Sequence, residues 1–547
     1  MESPTRATKG FAWNHLYKVS EYGLFNLYSI LVVRHFGPEL AGPFTVYLSI
    51  FSTLSILSAF AVDGVLLRYA GLVSADADLD LPGYRKGSLR SFLLPLLELR
   101  LGVSLALAAI ILLVLIGLPL MSSDVGNAFG SISSLAIPLA VSVVLQGVIA
   151  FCTSALIGLL ETKRILIGSL IARGTLLLVS LLLLSLGSLT ILSAVIVHTA
   201  SLLLGAIVLG GVLLKLSRTP ERTNDRFNWL ADRKTIAAFF GSGVVAYGIA
   251  TWGTDLLSMI LSRQPDILMM GALFGENSVE ITYYHAASIV LLLSEYLFLF
   301  GFGGALVSIF SGLSHADSED PAFAQRGYAR LLEARKKVAN FQSAATMPFL
   351  TFVGIFAGPI IEALFGAAFL PATTLVQVGI VIVAMTVSLL GGGMSITSLV
   401  AIGEQKTVFR IRLVFGLINL PLNLLLISSY GALGAVIGTQ LCNTGACAAE
   451  AFIATRKIGH AIDYTGVLSV YGISIAASLL AYLVCQALGA FNWQAIPLVI
   501  FTGTITALAV IVSYHIFHVR IAQDTLHRVY QLFHSGRSRM MTERLSS

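Results

Sequence analysis

Residues 189–214 read LTILSAVIVHTASLLLGAIVLGGVLL, 26 residues in which His198 is the only side chain able to carry a charge. A helix of that length spans the roughly 30 Å hydrocarbon core of a bilayer. The next stretch, KLSRTPERTNDRFNWLADRK over 215–234, holds six Lys and Arg. An apolar span followed by a basic loop reads as a helix that ends on the cytoplasmic face. The rest of the chain repeats the pattern. Of its 547 residues 56% are hydrophobic and 11% charged, and its mean hydropathy is +0.87. A soluble domain carries about 25% charged residues, so this chain cannot cover a water-facing surface. That excludes a cytosolic enzyme, a secreted disulfide scaffold and a disordered tail.

Working outward from 189–214, apolar runs between charged or turn-rich breaks predict fourteen spans. The first seven are 11–33, 44–66, 91–119, 133–160, 165–186, 189–214 and 236–262. The second seven are 279–310, 338–361, 372–400, 408–428, 432–455, 465–488 and 494–518. With the N-terminus inside, 29 of the 34 basic residues fall on inside segments. Arg34 and Arg263 fall outside, and Lys18, Arg100 and Arg173 lie within spans. That asymmetry predicts an even count with both termini cytoplasmic. It also accounts for the net charge of +6 without a nucleic-acid partner. The longest connections, 67–90, 215–235 and 311–337, are all inside, so no folded extramembrane domain is expected. No small-residue cleavage pattern follows MESPTRATKG, and no removable signal peptide is expected. Cys152, Cys442, Cys447 and Cys485 lie in apolar text without metal-ligand spacing.

The chain also repeats itself. RHFGPELAGPFTVYLSI (34–50) aligns with GALFGENSVEITYYHAASI (271–289), placing Phe36-Gly37 on Phe274-Gly275. LLETKRILIGSLIARG (159–174) aligns with AIGEQKTVFRIRLVFG (401–416), placing Glu161-Thr-Lys163 on Glu404-Gln-Lys406. Both halves start inside, so the repeat is parallel, as in transporters whose two bundles rock about a site between them. The expected organisation is an all-α polytopic membrane protein with a six-helix bundle over 1–214 and a linker over 215–235. A second six-helix bundle follows over 236–457, then two further spans over 458–519. A basic amphipathic tail over 520–547 is expected to lie on inner-leaflet lipids.

Charged groups inside a bilayer usually face a cavity or a partner. The first span sets His15, Lys18, Tyr22 and Asn26 along one face with Glu21 beside them. Lys18 is a candidate for an anionic headgroup, with Glu21 positioning it; the alternative is a structural Lys18–Glu21 pair. Arg173, in the fifth span, suits pyrophosphate oxygens because its guanidinium bonds bidentately. Asp255 in the seventh span and Glu295 in the eighth are candidate proton or cation sites. The twelfth span carries a polar stripe of Gln440, Asn443, Thr444, Cys447 and Glu450. No GxxxxGK[ST] phosphate loop occurs. Asp76-Ala-Asp78-Leu-Asp80 has the DxD spelling of metal-dependent glycosyltransferases but sits in a short inside loop. No catalytic residue, metal or cofactor is expected.

Arg34-His-Phe-Gly37-Pro38-Glu-Leu-Ala-Gly42-Pro-Phe44, with Asp63-Gly64 and Arg68 after it, resembles the opening of polysaccharide transporters of the MOP exporter superfamily. Arg263-Gln-Pro-Asp266 looks like that family's Arg-x-x-Asp element. Gly403-Glu-Gln-Lys406, Asn419, Asn423 and Tyr430-Gly431-Ala-Leu-Gly434-Ala435 are similar to its eleventh and twelfth spans. The resemblance covers about residues 9–457. One departure is Ile281-Thr282-Tyr283, which lacks the Gly that usually precedes this Tyr. The resemblance implies a Wzx-type flippase in a bacterial inner membrane, working by alternating access. Its cargo would be a polyprenyl-diphosphate-linked oligosaccharide, with polysaccharide polymerase or ligase machinery as a partner. Arg68 then joins Lys18, Glu21 and Arg173 as a headgroup candidate, and Asp255 and Glu295 become candidates for H+ or Na+ coupling. The rival readings are an ion-coupled drug or metabolite antiporter of the same superfamily and a peptidoglycan-precursor flippase. A polytopic glycan polymerase or ligase would show a long outer loop, and a membrane scaffold would not retain so many intramembrane polar groups.

Overall fold

The computed structural model describes residues 4–74, 89–117, 130–217, 243–295, 310, 313, 321–391, 393–517 and 519. The described residues are helical with no strand. In chain order α1 is Pro4–Leu40, α2 Gly42–Ala59, α3 Val62–Ser74 and α4 Leu89–Leu112. Then come α5 Ala136–Gly158, α6 Thr162–Ser185, α7 Ile191–Ser217, α8 Gly243–Ile260, α9 Arg263–Phe274 and α10 Val279–Glu295. The remainder are α11 Pro321–Ile355, α12 Ala357–Phe365, α13 Ala372–Leu390, α14 Met394–Ala401, α15 Gln405–Ile458, α16 Tyr464–Ala487 and α17 Ala495–Ile516. Among the described residues eight helices are long and apolar enough to cross a membrane, and one bent pair makes a ninth. In a bilayer every backbone N–H and C=O needs an internal partner, and helices alone supply that here.

Several expected spans turn out to be jointed. The run 44–66 is two helices, α2 and α3, meeting at Phe60 and Ala61, both with positive φ. The run 338–361 bends by 79° between α11 and α12. The run 372–400 breaks at Gly391, which closes α13 in the left-handed region with φ 73°. Residues 321–337, read as loop from their charge, are helical and continuous with the span that follows. Their period explains it: Leu331 and Arg335 face inward while Arg326, Arg330, Lys336 and Lys337 face out, so charge on one stripe masks an amphipathic helix. The 520–547 tail lies outside the described residues.

The element α15 contains the two predicted spans 408–428 and 432–455. Gly431, at φ 59° and ψ −136°, breaks the helix between them. Beyond it the second arm folds back along the first. A Cβ on Gly434 would stand 2.0 Å from the Leu426 carbonyl oxygen, and one on Gly438 1.9 Å from Asn423 Oδ1. The Ala432 amide at the start of the second arm donates to Glu280 Oε2 over 2.8 Å. This carboxylate serves an N–H that has no intrahelical acceptor.

The words matched by the repeat share their backbone. Gly37 and Gly275 both take positive φ, 73° and 83°. Leu160 and Gly403 precede the paired glutamates at φ 60° and 83°, and Glu161 and Glu404 both cap a following helix at φ −88°. At the second of these elbows the Lys457 ammonium and the Thr407 hydroxyl bond Glu404. Both contacts hold its carboxyl below the ordinary carboxylate range.

The chain divides into two compact units: Met1–Ala286 with Arg412–Thr439, and Ala287–Ile411 with Gln440–Ser547. In the first, small residues let helices approach closely. A Cβ on Gly71 would lie 2.6 Å from the Gly158 oxygen, and one on Gly248 2.6 Å from that of Ala61. Its core is the cluster of Val65, Leu66, Leu96, Phe151, Leu156 and Ile165 with their neighbours. In the second, Leu331, Ala339, Met394 and Ile458 pack together. The buried Arg335 there donates to the Gly459 carbonyl over 3.1 Å.

Candidate functional site

The first unit gathers most of the sequence-predicted polar residues. On α1, Glu21 is set by helical period opposite α6, and Arg173 reaches it from there. Arg173 Nε and Nη2 donate to Glu21 Oε1 over 2.8 and 2.7 Å, and Ser169 bonds the other carboxylate oxygen. The guanidinium stacks 5.0 Å above the Phe25 ring. Arg173 Nη1 is buried without a hydrogen-bond partner. Together with Tyr17, Thr153 and Ser201, this pair lines a small internal cavity. The expected alternative, a Lys18–Glu21 pair, is replaced by Glu21–Arg173. Lys18 lies half-buried, with its ammonium 5.4 and 5.6 Å from the rings of Tyr17 and Tyr22.

The carboxylate and guanidinium here are mutually dependent. Replacing Arg173 by Met leaves Glu21 charged in a nearly closed site, and breaking a buried pair from one side costs about 3–5 kcal/mol. Thermal unfolding of the purified protein should therefore show a large loss for Arg173→Met. The double variant Glu21→Gln, Arg173→Met should recover most of it. A double variant as unstable as the single one would mean that the pair does not brace α1 on α6.

His198, deep in α7, is fully buried. Its Nδ1 lies 2.9 Å from the Tyr47 hydroxyl, which also meets Ser142 at 3.2 Å. Phe25, Tyr28 and Phe51 surround the imidazole, which fits a packing role rather than a ligand.

Arg68 is exposed on α3, with its guanidinium 4.5 Å above the ring of Tyr247 on α8 and 5.4 Å above that of Tyr69. Asp255, two turns beyond Tyr247 on α8, is exposed as well. Glu295 is the last residue of α10, and its side chain lies outside the described residues.

Asp266, which is not among the candidate site residues of the sequence, forms the most extensive buried polar network among the described residues. Completely buried in the first turn of α9, it collects partners from three further helical segments. Asn423 Nδ2 donates to its Oδ1 over 2.6 Å and Thr439 Oγ1 to its Oδ2 over 2.7 Å. The Tyr284 hydroxyl also donates to Oδ2. Asn419 accepts from Asn423 at 3.2 Å and ties the arrangement to the last carbonyl of α8 through Ile260 O at 2.8 Å. Asn423 Oδ1 is buried with no hydrogen-bond partner. Both carboxylate oxygens thus accept hydrogen bonds, Oδ1 from an amide and Oδ2 from two hydroxyls, so the buried charge is met by neutral donors and by no cationic side chain in these bonds. Among the described residues no group of three His, Cys, Asp or Glu side chains is placed to hold a metal ion. The signals were in the sequence: an Arg-x-x-Asp word, and Asn419 and Asn423 four residues apart on one helical face.

On the same unit α1, α2 and the α8–α10 segment meet through small and polar groups. Ser29 Oγ lies 2.9 Å from His285 Nε2. Ser49 Oγ donates to the Gln264 carbonyl over 2.8 Å, and Trp252 Nε1 to that of Ile56 over 3.1 Å. A Cβ on Gly42 would lie 2.1 Å from the Glu276 oxygen.

Jointed apolar helices, with no large soluble domain among the described residues, make this a multi-pass membrane protein. No family model and no curated protein matches the chain in sequence. Solved structures do match its fold. The lipid II flippase MurJ in an inward closed conformation superposes with TM-score 0.63 at 15% identity, over 92% of this chain and 99% of that one. An inward-facing multidrug resistance MATE family transporter of the MOP superfamily gives TM-score 0.56 at 16% identity, over 80% and 94%. A MOP superfamily transporter from Pyrococcus furiosus gives 0.52 at 15% identity, over 84% and 96%. The chain shares its fold with these solved proteins.

Proposed function

We propose that this protein is a flippase that carries polyprenyl-diphosphate-linked oligosaccharide from the inner to the outer leaflet of a bacterial inner membrane, and is not an enzyme. The observation that carries this reading is coverage. The MATE transporter is matched over 94% of its own length yet leaves a fifth of this chain without counterpart. The lipid II flippase leaves 8%. The chain thus matches a lipid II flippase over more of its length than it matches that MATE transporter, which supports a lipid-linked cargo.

The chemistry is compatible. A diphosphate needs cations in a wet cavity, while a polyprenyl tail stays in lipid. Lys18, Arg68 and the unpartnered Nη1 of Arg173 are the cations we assign to it, with Glu21 holding Arg173. Arg68 is already oriented by two aromatic rings, which limits the entropy lost on binding an anion. Asp266 with Asn419, Asn423 and Thr439 is the site we assign to a coupling H+ or Na+, and Asp255 and Glu295 are further coupling candidates. Alternating access of two six-helix halves would open and close the polar contacts of Ser29, Ser49 and Trp252. Polysaccharide polymerase or ligase machinery would receive the cargo on the far side.

The deciding experiment deletes the gene in its host and measures lipid-linked glycans on each leaflet with an impermeant glycan probe. Accumulation on the cytoplasmic side, reversed by the intact gene but not by Arg68→Ala or Lys18→Ala at normal abundance, is expected. The MATE likeness favours a second reading, an ion-coupled antiporter. That reading gains if leaflet distributions stay unchanged while the deletion strain becomes sensitive to cationic drugs.

A further inference from the structure

The second unit has a strongly charged end that the transport reading leaves unused. Helices α11 and α14, both ends of α15 and the residues leading into α16 meet there. Leu331 and Ala339 of α11 pack with Met394 of α14, Ile458 and Ala461. Leu399 of α14 packs with Val408 and Ala454, which come from the start and the end of α15. Polar contacts fix the same place. Arg335 donates to the Gly459 carbonyl over 3.1 Å, and Lys457 bonds Glu404.

The carboxylates at this end are already engaged. Glu404 holds Lys457 and Glu333 holds Lys337, while Asp463 caps α16 by accepting from the Gly466 amide over 3.1 Å. The cations are in excess. Arg326, Arg330, Lys336, Lys406, Arg410 and Arg456 are all exposed, and among the described residues none of them has a carboxylate partner. A surface with this many unmatched cations attracts anions from outside the protein.

Exposed aromatic side chains say which anion. The Arg456 guanidinium lies 4.4 Å over the ring of Phe452, one helical turn before it, and Phe452 is 57% exposed. Phe341 is exposed one turn after Lys337, and Tyr464 is exposed four residues after His460, their rings 5.2 Å apart. In α11 and α16 the apolar span follows the aromatic residue, and in α15 it precedes it. Each ring therefore stands on the apolar side of its cation. That order suits a bilayer surface, with rings at the acyl boundary and cations at the depth of the phosphates. A soluble acidic partner would have no use for it. The charge asymmetry of the sequence expects this end at the inner leaflet, where anionic phospholipids give a negative surface.

We propose that this end of the second unit is a binding surface for anionic diacyl phospholipid, anchored on Arg456 and flanked by Lys336, Lys406 and Arg410. A guanidinium donates to phosphate oxygens in pairs, and Phe452 already holds that of Arg456 in place, which limits the entropy lost on binding. At 1.5 Å per residue Arg330 and Arg326 lie roughly 10 and 16 Å beyond Lys337 along α11. They add attraction at a distance rather than contact. The surface needs no cargo, and it stands whether or not the flippase reading does.

The test titrates the full chain, purified in neutral detergent without cargo, with dioleoyl-phosphatidylglycerol or dioleoyl-phosphatidylcholine and counts bound lipid by native mass spectrometry. Each Lys or Arg near an anionic surface is worth about fivefold in affinity, so phosphatidylglycerol should bind about tenfold tighter or more. On the same scale Arg456→Gln should lose about fivefold for phosphatidylglycerol, and Lys336→Gln with Arg456→Gln about twentyfold, with phosphatidylcholine unchanged. Arg164→Gln, on the first unit and paired with Glu161 at 3.1 Å, is the control and should bind as the wild type does. Equal affinity for the two lipids, or an Arg456→Gln protein that keeps the wild-type preference, overturns the proposal. So does displacement of the lipid by inorganic phosphate or by polyglutamate, which would mean a site for free phosphate or for a soluble acidic partner. Should Arg456→Gln fail to fold, Lys406→Gln with Arg410→Gln decides by the same loss. Failure of the flippase reading would show in the leaflet assay and leave this lipid preference untouched.

Discussion

Replacing Asp266 by Asn should abolish coupled transport while the protein still folds. The side chain keeps its volume, and its amide oxygen still accepts from Thr439, Tyr284 or Asn423. What disappears is the negative charge that would hold a proton or a cation. A ligand that binds the native state alone stabilises it by about 2.7 kcal/mol at a hundred times its Kd. The wild type should accordingly melt at higher temperature in NaCl than in choline chloride of equal ionic strength, if Na+ is the coupling ion. If H+ is, the stabilisation should follow acid instead. Asp266→Asn should respond to neither. Asp266→Ala should behave differently, because it leaves three buried donors unmet at about 1–3 kcal/mol each, and it should be depleted from the membrane. An Asn variant that keeps both its ion response and its transport would remove Asp266 from the coupling site.

The contrast between Asp266 and Asp255 shows where sequence reading succeeds and where it stops. Depth in a span drew attention to Asp255, because a lone acid far from a helix end is conspicuous. Asp266 stands near the outer end of a predicted span, where charge is cheap, and so carried little weight. Its burial comes from the break at Leu261–Ser262, which starts a new helix at Arg263 and turns Asp266 toward Asn423. Nothing in the periodicity of 236–262 announces that break. Likewise the single-letter pattern put Lys18 beside Glu21. The carboxylate instead faces α6, because the planar guanidinium of Arg173 can reach it with two donors. Pairings between helices distant in sequence depend on rotation about the helix axis, which an apolar stripe specifies only loosely in lipid, where both faces can be apolar.

Boundaries were more legible. The runs 165–186, 189–214, 465–488 and 494–518 match α6, α7, α16 and α17 to within three residues. All four are single helices with no internal break. The jointed spans escaped because apolar text continues through the joint. Phe60 and Ala61 adopt positive φ without the glycine that would advertise it.

Adding a single methyl group at Gly434 should prevent the protein from accumulating at all. Gly434 sits three residues beyond the Gly431 break, where the second arm of α15 passes the first. Its Cβ would stand 2.0 Å from Leu426 O and 2.3 Å from the carbonyl carbon, and a backbone atom cannot swing aside as a side-chain tip can. To relieve the overlap the arms must separate by more than an ångström. That movement withdraws Thr439 from Asp266 and from Asn423, bonds now 2.7 and 2.6 Å long. It also strains the Ala432–Glu280 contact that anchors the turn. Overpacking in a tight interior costs about 1–3 kcal/mol, and each buried polar group left unmet adds about 1–3 kcal/mol more. Against a total stability of about 5–15 kcal/mol, the sum consumes most of the margin. Membrane abundance of Gly434→Ala, read by immunoblot and by size-exclusion of detergent extracts, should fall at least tenfold. Gly210→Ala is the control: no atom outside its own helix's backbone and its chain neighbours lies within 4 Å of that Cβ, and abundance should hold. Equal abundance of the two variants would mean that the arms of α15 do not close on each other, and the Asp266 network would lose its Thr439 partner with them.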